Sequence, residues 1–271
     1  MDRVEATDRR KMARALRRWV IEQSLDSNVG HVGCALSVVD IITALWGGIM
    51  RHPGTGRDDR DRFILSKGHA ALALFAALRW LNRIEDSTFA TYCKDGSLLG
   101  VHPEHALAEV DVSTGSLGHG LSIGCGMAFG LRLKGLPAHV YVLMSDAECN
   151  EGQVWEAAMF AAHHRLGALC AVVDLNGQQA LGPTRDVLHL PELGSIWRSL
   201  GWEVAEVDGH DDRQLAEELT PRPGQERPRL VLARTILGKG VSFMERRVEW
   251  HYRNLTRLQA EQALAELEAL P

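Results

Sequence analysis

Asp146 and Asn176 are the two side chains of this sequence best placed to do chemistry together. Each closely follows an apolar run: residues 140–144 lead into Ser145 and Asp146, and a run ending at Val173 leads into Asp174 and Asn176. If the stretch 139–178 is one strand–helix–strand unit, its two strands lie parallel and close in a sheet. Asp146 and Asn176 then both emerge at the carboxyl end of that sheet, the edge where open α/β sheets bind ligands. A carboxylate, an amide oxygen and a nearby backbone carbonyl are hard oxygen ligands. They suit Mg²⁺, which usually completes its shell with phosphate oxygens. A plainer role stays open at the same positions, with Asp146 capping the next helix and Asn176-Gly177 making a turn.

A second group of residues lies upstream. The run TGSLGHGLSIGCGMAFG (114–130) holds Gly115, Gly118, Gly120, Gly124, Gly126 and Gly130. Glycines where a loop enters a helix let backbone N–H groups approach an anion. The pairs Gly120–Gly124 and Gly126–Gly130 have the spacing of close helix packing. The loose Gly118–Gly120–Gly124 pattern would serve a dinucleotide only after a buried apolar strand, and residues 111–114 do not read as one. Three histidines, His31, His69 and His102, sit in loops containing Gly or Pro. The other histidines before the tail, His52, His105, His119, His139, His163, His164 and His189, read as ordinary surface or core residues, and His210 as structural. Lys239, between two glycines, reads as a solvated loop residue rather than a phosphate contact.

The elements that must carry these residues follow from periodicity. Residues 8–24 place Met12, Leu16, Trp19 and Val20 at helical spacing, with Arg and Glu opposite. Further helices are expected at 36–50, 69–81, 117–133, 154–166 and 254–270, and strands at 62–65, 140–144, 169–174, 203–207 and 230–235. Strands alternating with helices of this length predict an α/β fold, a mostly parallel sheet with helices on both faces. The segment RPGQERP (222–228) reads as a turn between elements, so residues 1–271 are expected to form a single domain.

Composition excludes several classes. With 271 residues and 45% hydrophobic content the chain is long enough for a real core, and 24% charged residues is ordinary for a globular protein. The formal net charge of −5 disfavours a nucleic-acid footprint. Five cysteines, scattered and without a CxxC pair, indicate reduced thiols rather than a disulfide frame or a zinc knuckle. No apolar run has the length of a membrane span, and MDRVEATDRRK leads into no signal core, so a cytoplasmic protein is expected.

With these residues in view, the sequence resembles the amino-terminal, diphosphate-binding part of transketolases, and most of all the separate amino-terminal subunit of split transketolases. The resemblance runs in order through SNVGHVG (27–33), DRFILSKGHA (61–70), GVHPE (100–104), STGSLGHGL (113–121) and SDAECNEGQVWEA (145–157). It continues through DLNGQQ (174–179), VDGHD (207–211), TILGKG (235–240) and the region of His251. It implies a thiamine diphosphate-binding fold. Asp146 and Asn176 match the family's metal ligands, the carbonyl of Gln178 matches the third, and the ion is Mg²⁺, with Ca²⁺ also able to serve. Ser145 and Ala147 stand where the family motif has glycines, so Ala147 matches the position whose backbone approaches the diphosphate. Gly115, Ser116 and Leu117 match the segment lying along the cofactor. His69 and His102 match histidines near the diphosphate and the reacting carbon. His31 and His251 match histidines facing the substrate channel, although Tyr252 replaces the glycine that follows in split subunits. Glu151 and Glu156 match two glutamates of the family's subunit interface.

The resemblance also implies a function. It is transfer of a two-carbon ketol or acyl unit from a ketose or α-keto donor to an aldehyde acceptor through a thiamine diphosphate carbanion. The glutamate that activates the cofactor's aminopyrimidine belongs to the family's pyrimidine-binding domain, and no motif for that domain occurs here. The implied partner is a carboxy-terminal transketolase subunit, in an α₂β₂ assembly. Two alternatives stand beside this reading. One is an NAD(P)-dependent oxidoreductase using Gly118–Gly124, with Asp146 on the ribose. The other is a non-catalytic transketolase-like partner subunit.

Overall fold

The computed structural model describes residues 6–269. Leu270, the expected last residue of the final helix, lies outside them, as do Met1 to Glu5 at the start of the expected domain.

Seven strands occur among the described residues: β1 (Arg62–Leu65), β2 (Val140–Ser145), β3 (Leu169–Leu175), β4 (Gln178–Gln179), β5 (Gly182–Pro183), β6 (Glu203–Asp208) and β7 (Arg229–Arg234). Five form one sheet in the order β1-β2-β3-β7-β6, every pairing parallel. β4 and β5 make a small antiparallel ribbon just beyond the end of β3. Side chains of a strand alternate between faces, and the core divides accordingly. Phe63, Leu65, Tyr141, Leu143, Val172 and Val231 enter one apolar layer, while Ile64, Val142, Met144, Val173, Leu230 and Leu232 enter the other. The first layer is completed by helices Ala6–Ser27, Val32–Ser37, Val39–Ala44, Ala71–Trp80, Asp212–Leu219 and Arg257–Glu268. The second is completed by His119–Leu133, Gly152–His163 and Leu193–Ser199. Helices therefore cover both faces, as the alternation of strands and helices predicts.

Several boundaries differ from expectation for identifiable reasons. The helix expected over 36–50 begins at Val32 and breaks at Val38, and its last turn, Leu45–Ile49, is wide and ends through Gly48 at φ 148°. The helix expected from Leu117 begins only at His119, because Gly118 adopts φ 85°, a left-handed conformation that a helix does not contain. The final helix starts at Arg257 rather than Asn254, where Thr256 and Gln259 close a reciprocal capping box. Gly120 and Gly124 do face close packing, against Ser66 and Val142 respectively. Gly126 and Gly130 do not: a side chain at either would meet open space, so that pair is not a packing device. All five cysteines are free, and no helix among the described residues is long and apolar enough to cross a membrane.

Candidate active site

Register places the first two candidates side by side. Ser145 on β2 pairs with Asp174 on β3, so Asp146 and Asn176 leave adjacent strands at the same carboxyl edge. The Asp146 side chain is buried. One carboxylate oxygen accepts from Ala147 N–H at 3.0 Å, and the other from Gly177 N–H at 3.1 Å and the Thr184 hydroxyl at 2.8 Å. Asn176 turns its amide nitrogen to Asp174 at 2.9 Å, and its oxygen accepts from Gln178 N–H at 2.9 Å. The capping and turn roles weighed for these residues are therefore real, and Gly177 takes the left-handed φ of 73° that the turn requires. They do not exhaust the residues. A carboxylate has about four acceptor positions and an amide oxygen two, so each retains a lone pair for a cation. Burial, with a smaller contribution from the Asp174 charge, raises the Asp146 pKa to about 6. A carboxylate held there is short of positive charge. The Gln178 carbonyl faces His251 Nε2 at 3.4 Å.

The loop after β1 carries the next group. His69 lies in the short turn Gly68–Ala70, with its Nε2 buried and without a hydrogen-bond partner. A Cβ at Gly68 would come within 2.9 Å of Thr114 and 3.0 Å of His102. Only glycine lets these two loops meet. Gly115 lies beside the His102 ring, and Gly115, Ser116 and Leu117 are all exposed. His31, at φ 63°, precedes the helix Val32–Ser37, and its ring centroid stands 5.3 Å from that of His69. His251 ends the turn Val248–His251, 6.0 Å from His69 between centroids. Burial, reinforced by nearby positive charge including Lys67, lowers the pKa of His69 well below the ordinary range and that of His251 to about 4. The His31 pKa is lowered too, by burial first and then His102. These imidazoles are neutral at pH 7 and available as hydrogen-bond partners.

Of Glu151 and Glu156, the first packs beside Gly118, where an added Cβ would come within 2.7 Å of its side chain. Both are exposed, Glu151 immediately before the helix Gly152–His163 and Glu156 within it. The same helix exposes Met159 and Phe160, and Leu117 is exposed as well. His31 is half-buried rather than open. His210 is satisfied at both nitrogens, by Asp40 and by Ile236 N–H, in keeping with a structural role. Lys239 lies 3.9 Å from Glu245.

Three residues not singled out from the sequence complete the floor. Lys67 and Asp174 form an ion pair in which both side chains are almost wholly buried. Asp174 also accepts from Ser37, Thr235 and Asn176. Glu148, fully buried, accepts from Ser66, from Gly118 N–H at 2.9 Å and from Ser145 N–H at 2.8 Å. In return Glu148 N–H donates to the Ser145 hydroxyl at 3.3 Å, the reciprocal pattern of a capping box. Ser145, at the first of the two motif glycines, thus has its own structural task. The S-x-x-E spacing was the available signal for Glu148.

Comparison with known proteins decides the family. Residues 8–266 match the model of the transketolase thiamine diphosphate binding domain. The chain belongs to that family. It is 36% identical over 265 residues to a 6-deoxy-6-sulfo-D-fructose transketolase subunit of a Clostridium species, covering 96% of each chain. It is 35% identical over 254 residues to an apulose-4-phosphate transketolase subunit of Phocaeicola vulgatus, covering 93% of this chain and 90% of that one. The fold matches the crystal structure of transketolase from Campylobacter jejuni with a TM-score of 0.91 at 23% identity. This chain spans 43% of the length of that protein. The resemblance to a transketolase amino-terminal subunit is borne out, and neither alternative reading gains support.

Proposed function

We propose that this chain is the diphosphate-binding subunit of a two-component, thiamine-diphosphate-dependent transketolase. The observation that carries the reading is the convergence of Asp146, Asn176, Gly115–Leu117 and four histidines at one carboxyl edge of a parallel sheet. The residues fit the cofactor. Asp146 and Asn176 keep free lone pairs for Mg²⁺ or Ca²⁺, the Gln178 carbonyl would be the third ligand, and the buried, unpartnered Nε2 of His69 could donate to a diphosphate oxygen. Residues 1–271 act as one diphosphate-binding domain in this reading.

When bound, thiamine diphosphate supplies the nucleophile that takes a two-carbon ketol or acyl unit from a ketose or α-keto donor and hands it to an aldehyde acceptor. The chain's own residues do the rest. Asp146 and Asn176 bind the ion that offsets the diphosphate charge. The backbone of Gly115, Ser116 and Ala147 and the side chain of Leu117 would border the cofactor. His69 and His102 would stand near the diphosphate and the reacting carbon, where a positioned histidine can hydrogen-bond a developing oxyanion and relay protons. His31 and His251 hold the donor's hydroxyl groups in the channel. The relatives named for apulose 4-phosphate and a sulfofructose both take their names from ketoses with an anionic group. A ketose of that class is the donor we assign.

The partner is a carboxy-terminal subunit bearing the pyrimidine-binding domain, in a cytoplasmic α₂β₂ assembly. Support comes from the subunit names of the relatives and from exposed Leu117, Met159 and Phe160, the latter two on the helix that follows Glu151 and carries Glu156. In the assembly Glu151 and Glu156 meet their counterparts across the two-fold axis. The test supplies the purified chain with Mg²⁺, thiamine diphosphate, hydroxypyruvate and an aldehyde acceptor, with and without a pyrimidine-domain subunit. Turnover is expected only with both subunits. Robust turnover by this chain alone contradicts the two-component reading.

A further inference from the structure

We propose that His31, Cys34 and His251 form a binding site for a borderline-soft divalent cation, Zn²⁺ or its spectroscopic substitute Co²⁺, distinct from the hard-oxygen site at Asp146 and Asn176. One ligand atom from each residue lies within 4.8 Å of the other two. His251 Nδ1 is 3.0 Å from Cys34 Sγ, and His31 Nδ1 is buried without a hydrogen-bond partner. A tetrahedral ion with Zn–S of about 2.3 Å and Zn–N of about 2.0 Å spaces its ligand atoms by about 3.3–3.5 Å. To reach that spacing the Cys34–His251 separation would open and any wider separation would close. Backbone placement assists. His31 and Cys34 are three apart at the start of the helix Val32–Ser37, and Gly33 between them packs against the backbone of Trp250, next to His251.

The donor set selects the ion. Two imidazoles and a thiol suit Zn²⁺ and Co²⁺, whereas Mg²⁺ prefers oxygen. Cys34 is fully buried and burial pushes its thiol up to about 12, so without metal it is protonated against His251. Binding replaces that proton with the metal and releases it to solvent, with no change in oxidation state. Three protein ligands leave a fourth position for water or an anion. If the substrate-channel reading holds, occupancy removes two histidines from the donor's path and stops transfer. The binding itself does not depend on that reading.

The test titrates Co²⁺ into the full chain in metal-free buffer without thiamine diphosphate. One equivalent is expected to give a near-ultraviolet thiolate-to-cobalt charge-transfer band and intense four-coordinate visible bands, both abolished by Zn²⁺. Cys34→Ala should remove the charge-transfer band and weaken binding at least about tenfold, and His31→Ala should weaken it similarly. Cys93→Ala, at the half-buried thiol, should leave both signals intact. Thermal melts identify any variant that fails to fold, and His31→Ala then carries the test in place of Cys34→Ala. Absence of the band in the wild-type chain, its persistence in Cys34→Ala, or unchanged affinity in His31→Ala overturns the site. Because no readout uses turnover, these outcomes are separate from failure of the transferase assignment.

Discussion

Glu148 accepts the backbone N–H of Gly118 at 2.9 Å, tying the turn after β2 to the loop that carries Gly115, Ser116 and Leu117. The same carboxylate holds Ser66, which precedes the His69 loop, and Ser145, which precedes Asp146. One buried acid therefore joins three loops of the candidate site. Burial raises its pKa, and the donors from Ser66, Gly118 and Ser145 act against that rise.

Replacing Glu148 with Ala strands these donors in the interior. An unsatisfied buried donor costs about 1–3 kcal/mol, so Glu148→Ala should lower stability by at least about 3 kcal/mol. For a chain of this size that is a melting-temperature drop of roughly 6–12 °C. Glu148→Gln, which keeps two acceptor positions on one oxygen, should lose less. Equal melting temperatures for Glu148→Ala and wild type would remove the clamp role.

Lys67→Met should be costly in a different way. Removing one member of a buried ion pair leaves the other charge uncompensated, a loss of about 3–5 kcal/mol. The double variant Lys67→Met, Asp174→Asn should recover part of it, because the stranded charge is gone. Denaturant unfolding of the two variants checks this, and a double variant no more stable than Lys67→Met would contradict it.

Asp40 supplies the pH prediction. Burial pushes its pKa up, but Arg17 at 2.5 Å and His210 at 2.6 Å outweigh burial and hold it at about 2, below the ordinary 3.8. His210 Nε2 accepts from Ile236 N–H, so the proton sits on Nδ1 and points at Asp40. A carboxyl with a depressed native pKa contributes stability that is complete above 3.8 and lost as pH falls through about 2. Wild type should therefore lose roughly 2 kcal/mol through this group across that window, at about 1.4 kcal/mol per pH unit. Asp40→Asn should be less stable at pH 7 and lack this component of the acid slope. Identical acid slopes for variant and wild type would refute it.

Much of this was legible in the sequence. Apolar runs and turn residues located all five sheet strands to within a residue or two, and the position of Asp146 and Asn176 after their strands indicated the shared edge. The missing parts depend on contacts between distant segments. Lys67 and Asp174 are 107 positions apart, and Cys34 and His251 are 217 apart. No local pattern announces either pair. The break at Val38 has no proline or glycine to mark it, and the delayed helix start at Gly118 depends on Glu148 holding its N–H from another loop.

His69→Ala and His102→Ala should lower turnover of the assembled enzyme by about a hundredfold or more, on the order of the contribution of a positioned proton-transfer group. Their melting temperatures should change little, since both residues come from the loops that meet at Gly68 and His69 Nε2 has no protein partner to lose. Steady-state kinetics paired with melts separates the roles. A lowered melting temperature with normal turnover per folded molecule would make both residues structural.

In the proposed reading, cofactor binding by this chain turns on Asp146 and Asn176 holding the cation that would anchor the diphosphate. The decisive experiment is isothermal titration of thiamine diphosphate with Mg²⁺ into the assembled enzyme, comparing wild type with Asp146→Ala. Loss of the charged ligand leaves the diphosphate poorly compensated, and affinity should fall at least roughly tenfold, about 1.4 kcal/mol. An isotherm unchanged by Asp146→Ala would refute the anchoring role.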